Sequence, residues 1–267
     1  MKQLVLKTTK ILAEVSEGVG WLTFNQPERR NAISLEMWQG IGDAMEMMEA
    51  DADVRVVIMK GAGGKAFASG ADISEFDQQR ANAAQRHEYG QISARGSQWL
   101  ARFSKPLIAM IDGYCIGGGL AIALNADVRF ATPGSRLGIP AARLGLGYEY
   151  PGLAALARLV GPSTARDMLF SARLLEADEA LRVGLVNFIV SEESLLKDVQ
   201  VYAERIASNA PLTVKAAKAA VNAYEKYSQI EAASAIAGLV DVCFDSEDYK
   251  EGRRAFAEKR APEFKGC

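Results

Sequence analysis

The sequence predicts an α/β fold in which parallel strands are joined by helical crossovers. Short apolar runs rich in β-branched residues alternate with longer segments whose apolar residues recur at helical spacing. Several of the short runs end at glycine clusters, a pattern typical of strands that are buried on both faces of a sheet. The chain has 267 residues, 49% of them hydrophobic, so it can bury one large core or two smaller ones.

The first elements are predicted to be a β-hairpin and a helix. Strands are expected over Ile11–Val15 and Trp21–Phe24, on either side of a turn at Glu17 and Gly18. Ser34 is suited to cap the helix that follows. Apolar residues continue that helix at helical spacing, namely Trp38, Ile41, Met45 and Met48.

The middle of the chain alternates strands and helices, which favours crossover units around a parallel sheet. The predicted elements, in chain order, are a strand over Val54–Lys60, a helix within Gln78–Arg102, a strand over Leu107–Ile111, the start of a helix over Leu120–Asn125, and strands over Ala126–Ala131 and Gly184–Val190. After about Ser191 the pattern is helical to the end of the sequence. We therefore expect a core over residues 1–195 and a C-terminal helical module over residues 196–267.

Composition and charge argue against several classes of protein. The formal net charge of −2 does not suit nucleic-acid binding, which usually requires a basic face. No apolar run reaches membrane-spanning length, and residues 1–10 lack the apolar centre of a secretory signal. The three cysteines are widely spaced, which favours a cytoplasmic protein with reduced thiols over disulfides or a metal site. The single histidine, His87, is expected at the surface or lining a pocket, which leaves acid–base chemistry to carboxylates, tyrosine or water.

Two glycine-containing loops carry the chemistry that the sequence suggests. Lys65–Ile73 and Asp112–Leu120 each follow a predicted buried strand. Gly117–Gly119 open a predicted helix, whose first N–H groups would be free to bind a negatively charged oxygen. Neither loop has the spacing of a dinucleotide-binding or phosphate-binding motif. The alternative is that these glycines only permit close packing of a helix against a strand.

Together the two loops closely resemble the signature of the crotonase superfamily, which contains enoyl-CoA hydratases and isomerases. The matching segments are Lys65-Ala-Phe-Ala-Ser-Gly-Ala-Asp-Ile73 and Lys105-Pro-Leu-Ile-Ala-Met-Ile-Asp-Gly-Tyr-Cys-Ile-Gly-Gly-Gly119. Further segments fit in order along nearly the whole chain: Asn25–Ala32, Gly161-Pro162, Arg173–Ala180, Gly184-Leu-Val186 and Phe256–Phe264.

The resemblance implies a crotonase-like spiral of repeated ββα units, followed by helices that mediate assembly into a homotrimer or hexamer. It also implies an acyl-CoA thioester as substrate and no separate cofactor, because coenzyme A is part of the substrate. By position, the main-chain N–H groups of Ala71 and Gly118 are implied to be the catalytic pair that stabilises the thioester oxyanion.

The resemblance further suggests which residues contact the substrate. Cationic contacts with the CoA phosphates are expected from Arg29, Lys65 and Lys259, the last of them reaching a neighbouring subunit. Each of these can equally be a solvated surface charge. Other contacts are expected along the two loops and the segment after them, at Ala66, Ala68, Asp72, Ile73, Gly117 and Ala141. Asp72 can alternatively hold its own turn through local hydrogen bonds.

The chain departs from the family's typical hydratases at two positions. Those enzymes carry one glutamate shortly after the glycine triplet and another after a proline in a later segment. The matching positions here are Ala121 and Ala141, the second of which follows Pro140. Addition of water across an enoyl double bond normally uses these carboxylates to orient the water and move its proton. The two alanines therefore put ordinary hydratase activity in question.

Tyr148 and Glu149 are the remaining candidates for catalytic side chains. The family's dienoyl-CoA isomerases, aryl-CoA dehalogenase and hydroxyacyl-CoA hydrolases have a carboxylate at the position that matches Glu149. Tyr148 resembles a tyrosine of methylmalonyl-CoA decarboxylase, which also lacks the usual glutamates. The alternative is that Glu149 is a solvated loop carboxylate and that Tyr148 is a packing residue.

The sequence thus favours an acyl-CoA lyase or isomerase that stabilises an enolate with main-chain N–H groups. One alternative is a lyase that resembles methylmalonyl-CoA decarboxylase. The other is a non-catalytic acyl-CoA-binding scaffold that kept the fold, because a fold alone does not imply a reaction.

Overall fold

The computed structural model describes residues 1–72, 83–144, 150–226, 238–239 and 241–267. Its strands are β1 (Lys2–Leu4), β2 (Ile11–Ser16), β3 (Val19–Phe24), β4 (Val56–Gly61), β5 (Ala66–Ala68), β6 (Leu107–Ile111), β7 (Tyr114–Ile116), β8 (Val128–Ala131), β9 (Arg136–Gly138), β10 (Leu175–Glu176) and β11 (Phe188–Ile189). Its α-helices are α1 (Leu35–Ala50), α2 (Ala83–Arg102), α3 (Gly118–Ala123), α4 (Tyr150–Ser171), α5 (Ala177–Arg182), α6 (Glu192–Ala207), α7 (Pro211–Lys226) and α8 (Glu247–Glu258). Ile73, Tyr148 and Glu149, three of the predicted site residues, lie outside the described residues, as does the side chain of His87.

The larger of the two sheets runs through the centre of the fold. Its strands follow the order β1-β2-β3-β4-β6-β8-β11. The first three are antiparallel, and every neighbouring pair from β3 to β11 is parallel. Apolar side chains pack on both faces, one face against α1 and the other against Leu195, Val199 and Ala203 of α6. The prediction of an α/β fold around a parallel sheet is therefore confirmed.

Strand β4 shows why the predicted strands are continuously apolar. Val57 and Met59 face the core that contains α1, whereas Val56 and Ile58 face the core that contains α6. Successive side chains of a strand point to opposite faces. A strand covered on both sides therefore needs an apolar residue at every position.

The N-terminal hairpin and the first helix form as their residues predict. Glu17 and Gly18 both have positive φ, 52° and 80°, which is the backbone of the two-residue turns that match the twist of paired strands. The Ser34 hydroxyl accepts a hydrogen bond from the Met37 N–H at 3.2 Å and caps α1.

A second, smaller sheet lies beside the first and was not predicted from the sequence. Its strands follow the order β10-β9-β7-β5, and β5, β7 and β9 are parallel. The two glycine loops each contain one of these short strands. Because parallel strands end at the same edge of a sheet, the segments that follow β5, β7 and β9 lie side by side.

The predicted strand over Gly184–Val190 is wrong for most of its length. Only Phe188 and Ile189 pair with β8. Leu185 and Val186 instead donate their N–H groups to the carbonyl of Ala180, at 2.8 and 3.1 Å. The N–H groups of Leu185 and Val186 therefore cap the C-terminal end of α5, and the apolar side chains of both residues are buried there.

The predicted division at residues 195 and 196 falls inside α6, the helix that covers one face of the large sheet. The division into a core and a C-terminal module stays a prediction. The long helix α4, which bends at Gly161 and Pro162, was not predicted from the sequence. None of the described helices combines the length and apolar character that crossing a membrane requires.

Candidate active site

The ends of β5 and β7 bring the two glycine loops into contact. A Cβ placed on Gly118 would lie 3.5 Å from the nitrogen of Ala71 and 3.7 Å from the carbonyl carbon of Gly70. A Cβ placed on Gly70 would lie 3.6 Å from the carbonyl oxygen of Ile116. The two residues predicted to donate to an oxyanion therefore belong to segments in van der Waals contact.

A short β-bridge with Ile33 fixes the direction of the Ala71 N–H. Ile33 donates its N–H to the carbonyl of Gly70 at 2.7 Å, and its own carbonyl accepts from the N–H of Asp72 at 2.9 Å. Ile33 thus bonds to the residues on both sides of Ala71. In a parallel bridge, the residue between these two bonds turns its N–H and carbonyl away from the partner. The Ala71 N–H therefore points away from Ile33, and Gly118 approaches its nitrogen.

Each glycine of the triplet has its own structural role. Gly117 has φ 53° and ψ −116°, a conformation that favours glycine, and its N–H donates to the carbonyl of Gly138 at 2.8 Å. Gly119 packs so closely on β5 that a Cβ would lie 2.2 Å from the carbonyl oxygen of Ala68. Gly118 lies between them as the first residue of α3, without a side chain where Ala71 approaches.

Neither candidate donor is bonded to another of the described residues. Within the part of the chain that the structure describes, no acceptor is bonded to the N–H of Ala71 or of Gly118. The first N–H groups of a helix have no partner within the helix itself. These N–H groups are therefore available to an oxygen atom of a ligand.

Arg29 and Asp72, both predicted to contact CoA, bind each other. The Arg29 guanidinium donates to the Asp72 carboxylate through Nη1, at 3.2 Å to Oδ1 and 2.9 Å to Oδ2. Gln26 adds a third hydrogen bond, from Nε2 to Asp72 Oδ2 at 3.3 Å. Asp72 is buried, whereas the Arg29 side chain is 53% exposed. The carboxylate next to Ala71 therefore ties its loop to residues 26–29 and orients an arginine at the surface.

The other predicted CoA contacts differ in whether their side chains are exposed to a ligand. Lys65 is exposed and directly precedes β5, while the side chains of Ala66 and Ala68 are fully buried. Ala66 and Ala68 can therefore contact a ligand only through main-chain atoms. Lys259 is exposed just after α8 with φ 55°. No hydrogen bond or ion pair among the described residues links Lys259 to either loop.

Asn31 is a positioning residue that the sequence did not single out, although it lies inside a matching segment. It is fully buried with φ 55°. Its side chain accepts from the Gln26 N–H at 3.0 Å and donates to the carbonyls of Ala62 and Ala66, at 2.9 and 2.8 Å. These bonds hold residues 26–31, and with them Arg29, against β5. The sequence signal that could have identified it is an asparagine that directly follows two arginines, because asparagine tolerates the positive φ of a tight turn.

Ala121 and Ala141 lie on the segments that follow β7 and β9. Ala121 is on α3, and its N–H donates to the carbonyl of Gly117 at 2.9 Å. Ala141 begins a short 3₁₀-helix, Ala141–Leu144, and packs on the main core. Both are half-buried, and neither supplies a group that can move a proton.

Comparison with known proteins agrees with this geometry. The family described as enoyl-CoA hydratase/isomerase matches residues 14–267. A crotonyl-CoA hydratase of Syntrophomonas wolfei subsp. wolfei is 36% identical over 95% of this chain and 97% of its own length. An (E)-benzylidenesuccinyl-CoA hydratase of Thauera aromatica is 36% identical over 96% of this chain and 99% of its own length.

Solved structures lead to the same family. The crystal structure of an enoyl-CoA hydratase/carnithine racemase from Magnetospirillum magneticum superposes with a TM-score of 0.91 at 35% identity, covering 99% of this chain and 97% of that one. The crotonase-like fold expected from the sequence is therefore confirmed. This chain belongs to the enoyl-CoA hydratase/isomerase family of the crotonase superfamily, and it is an acyl-CoA-processing enzyme of that family.

Proposed function

We propose that this enzyme binds the thioester carbonyl of an acyl-CoA between the N–H groups of Ala71 and Gly118 and stabilises an enolate formed from it. The observation that carries the proposal is the contact between these two residues, both of whose N–H groups lack an acceptor within the described chain. Two fixed N–H donors favour a negative oxygen because they need no reorganisation as charge develops. Removing one such donor typically costs about 3 kcal/mol of transition-state stabilisation.

The same arrangement supports binding of the CoA moiety at the surface beside β5. Arg29 is held by Asp72 and remains half-exposed, so its outward N–H groups can meet a phosphate. Lys65 adds a second exposed cation beside the same strand. Lys259 would serve a neighbouring subunit of a trimer or hexamer.

The reaction that follows enolate formation depends on groups that can move a proton. Ala121 and Ala141 cannot, and Asp72 is engaged by Arg29 and Gln26. Glu149, with Tyr148 beside it, is our candidate for this role, based on its position in the sequence. We infer proton transfer at the carbon next to the thioester, as in an isomerase or lyase, with hydration reduced by the missing carboxylates.

Decarboxylation of a malonyl-type CoA ester is the second candidate function. The half-buried alanines at 121 and 141 favour it, because loss of carbon dioxide generates the enolate directly and requires no base. In that reaction the oxyanion donors alone would lower the barrier, and Tyr148 would contact the substrate.

One binding measurement and one panel of substrates test the proposal. 4-Dimethylaminocinnamoyl-CoA is a chromophoric thioester, and polarising its carbonyl shifts its absorption to the red. We expect a red shift when it binds, and turnover of at least one ester from a panel of enoyl, hydroxyacyl and malonyl-type CoA esters. Tight binding without a red shift or any turnover would instead support the non-catalytic scaffold.

A further inference from the structure

Arg129 is a buried cation at the far end of the helix that begins with Gly118. It lies on β8 and is only 3% exposed. Its guanidinium donates through Nε to the carbonyl of Leu185 at 2.8 Å, and through Nη1 to the carbonyls of Ala126 and, at 3.4 Å, Ala123. All three acceptors are main-chain oxygens, and two of them lie at or just after the C-terminal end of α3.

Helix α3 is very short, so its two ends are mechanically coupled. It has 6 residues, from Gly118 to Ala123, which corresponds to a length of roughly 9 Å. A helix this short is marginal by itself and depends on its surroundings for its position. A change at the carbonyl of Ala123 is therefore expected to move the N–H of Gly118.

No described carboxylate neutralises the charge of Arg129 in a direct ion pair. Among the described residues, no carboxylate lies within salt-bridge distance of its guanidinium. The nearby Asp127 is bound to Lys218 Nζ at 2.8 Å and to the N–H of Leu107 at 2.7 Å. Burial lowers the pKa of Arg129, and the charge of Asp127 opposes that shift. The cation is thus stabilised mainly by the partial negative charges of three main-chain carbonyl oxygens, of which that of Ala123 belongs to α3.

We propose that Arg129 is a positioning residue for the oxyanion site, because it binds the carbonyl of Ala123 at the end of α3 and that of Ala126 just after it, and so sets the place of the Gly118 N–H. Its positive charge also adds to the potential at the opposite end of the helix, where the oxyanion forms. A second side chain also holds α3 in place: Asn125 donates a hydrogen bond from Nδ2 to the carbonyl of Ala121 at 2.8 Å. This role rests on the proposed function of Gly118.

The test compares Arg129→Met, Arg129→Lys and Asn125→Ala with the wild type, using 4-dimethylaminocinnamoyl-CoA as the probe. We expect Arg129→Met to bind the probe with a smaller red shift. We also expect it to lose roughly 10-fold to 100-fold in kcat on an ester that the wild type turns over, since small misplacements of catalytic groups have effects of this size. Arg129→Lys should restore part of both signals, because it keeps the charge and can donate to a carbonyl. Asn125→Ala should show a smaller loss in the same direction.

The matched control is Lys105→Met. Lys105 is also a partly buried cation on the carbonyls at a helix end, donating from Nζ to Met48 and Asp51 at 2.7 Å each. That helix, α1, carries neither oxyanion donor. A purely structural role for such a cation predicts that both methionine variants lower the melting temperature alike and leave the red shift unchanged.

The outcomes separate this inference from the function on which it rests. If folded Arg129→Met keeps the wild-type red shift and kcat, Arg129 has no positioning role, although the oxyanion site stands. If Arg129→Met does not fold, an unchanged red shift in both Arg129→Lys and Asn125→Ala overturns the inference equally. A wild type that gives no red shift contradicts the proposed function and the inference together.

Discussion

Three consecutive glycines perform three different tasks at the candidate oxyanion site. Gly117 makes a turn that requires positive φ, Gly119 lets α3 approach β5, and Gly118 leaves room beside Ala71. Only the third task concerns the proposed oxyanion directly. The structural alternative for the glycines, close packing of helix against strand, fits Gly119, whereas the role of Gly118 stays a prediction.

Substitution of Gly118 is the most direct test at the residue scale. A Cβ there would lie 3.5 Å from the nitrogen of Ala71, in the space that a thioester oxygen must enter to meet both N–H groups. We expect Gly118→Ala to lose most activity, and Gly118→Val to lose activity and acyl-CoA binding together, measured by kcat and by titration of the chromophoric thioester.

Gly90→Ala on α2 is the control for this substitution, because a Cβ at Gly90 meets nothing within 4 Å. It should keep full activity and gain about 0.5–1 kcal/mol of stability, as alanine does in place of glycine within a helix. Wild-type turnover by Gly118→Val would remove Gly118 from the mechanism.

The two half-buried alanines permit the opposite experiment, a gain of function. Ala121→Glu combined with Ala141→Glu is expected to introduce or raise hydration of crotonyl-CoA, because positioned acid–base groups contribute roughly 10²–10⁴-fold. Burial and mutual repulsion would raise the pKa of the new carboxyls and reduce the gain. Hydration is followed by loss of the enoyl absorbance, with folding checked by circular dichroism.

The matching glutamine pair, Ala121→Gln with Ala141→Gln, has the same size but cannot exchange a proton, so it should not gain activity. Wild-type hydration at an ordinary hydratase rate would show that the alanines are no functional departure. Glu149→Gln would then be the next variant to assay.

At the scale of secondary-structure elements, the C-terminal end of the chain is held to α8 by buried carboxylates. Glu251 accepts from Arg260 Nη1 at 2.6 Å and from the N–H of Glu263 at 3.1 Å. Asp248 accepts from the N–H groups of Lys265 and Gly266, at 2.6 and 2.8 Å. These bonds fix the segment after Lys259 against the helix, so they also fix the place of a predicted CoA contact.

Acid should loosen this attachment. Hydrogen bonds from Arg260 and Arg254 hold the pKa of Glu251 well below its ordinary value of 4.5. A carboxyl whose pKa is lowered in the folded state stabilises the fold above that ordinary value, and the contribution is lost as the pH falls below it. We expect Glu251→Gln to lower the melting temperature at pH 7, with a difference from wild type that narrows progressively below about pH 4.5.

The control for the pH experiment is Glu247→Gln. Glu247 pairs with Lys250 on the exposed face of the same helix, and exposed pairs contribute little to stability. It should change the melting temperature only slightly. A difference between Glu251→Gln and wild type that stays constant from pH 7 to pH 3 would contradict the assigned role of Glu251.

At the scale of the whole molecule, the two sheets divide structural and functional roles. The large sheet is covered on both faces and contributes buried apolar residues to both hydrophobic clusters of the protein. The small sheet carries the parallel strands β5, β7 and β9, whose ends present the donors and the two alanines. A rigid core beside a functional edge suits a mechanism that depends on preorganised main-chain N–H groups.

Assembly into a trimer or hexamer is the prediction that belongs to this scale. Val221 and Tyr224 are neighbours on α7 and are 62% and 79% exposed, so the helix presents apolar surface that a partner subunit can cover. The sequence predicts amphipathic interface segments over Leu212–Tyr224, which lies on this helix, and over Ile230–Val242, most of which lies outside the described residues. We expect light scattering to give the mass of a trimer or hexamer, and a lower mass for Val221→Lys with Tyr224→Lys.

Val5→Lys, just after β1, serves as the control, since Val5 is also exposed, at 88%, but lies far from α7 in sequence. It should leave the mass unchanged. A monomer at every concentration of the wild type would contradict the assembly.

The sequence by itself determined the fold class, the main strands and the identity of the oxyanion candidates. Continuous apolar runs that end at glycine are typical of strands covered on both faces. The two glycine loops match a family signature residue by residue. Both signals are local, because they depend on neighbours in the chain. The order of strands in the large sheet and the existence of the small sheet were not determined in this way.

Only the tertiary structure decided how distant residues combine. It placed Ala71 beside Gly118, paired Arg29 with Asp72, gave Asn31 its buried role and brought Arg129 to the end of α3. Leu185 and Val186 have side chains typical of a strand, yet their N–H groups donate to the carbonyl of Ala180 and not to a neighbouring strand. The physical reason is the same for all of these cases except the contact of Ala71 with Gly118, whose N–H groups bind no acceptor among the described residues. A buried polar group must find a partner wherever the fold provides one, and that partner is separated in the sequence by a distance that no local pattern records.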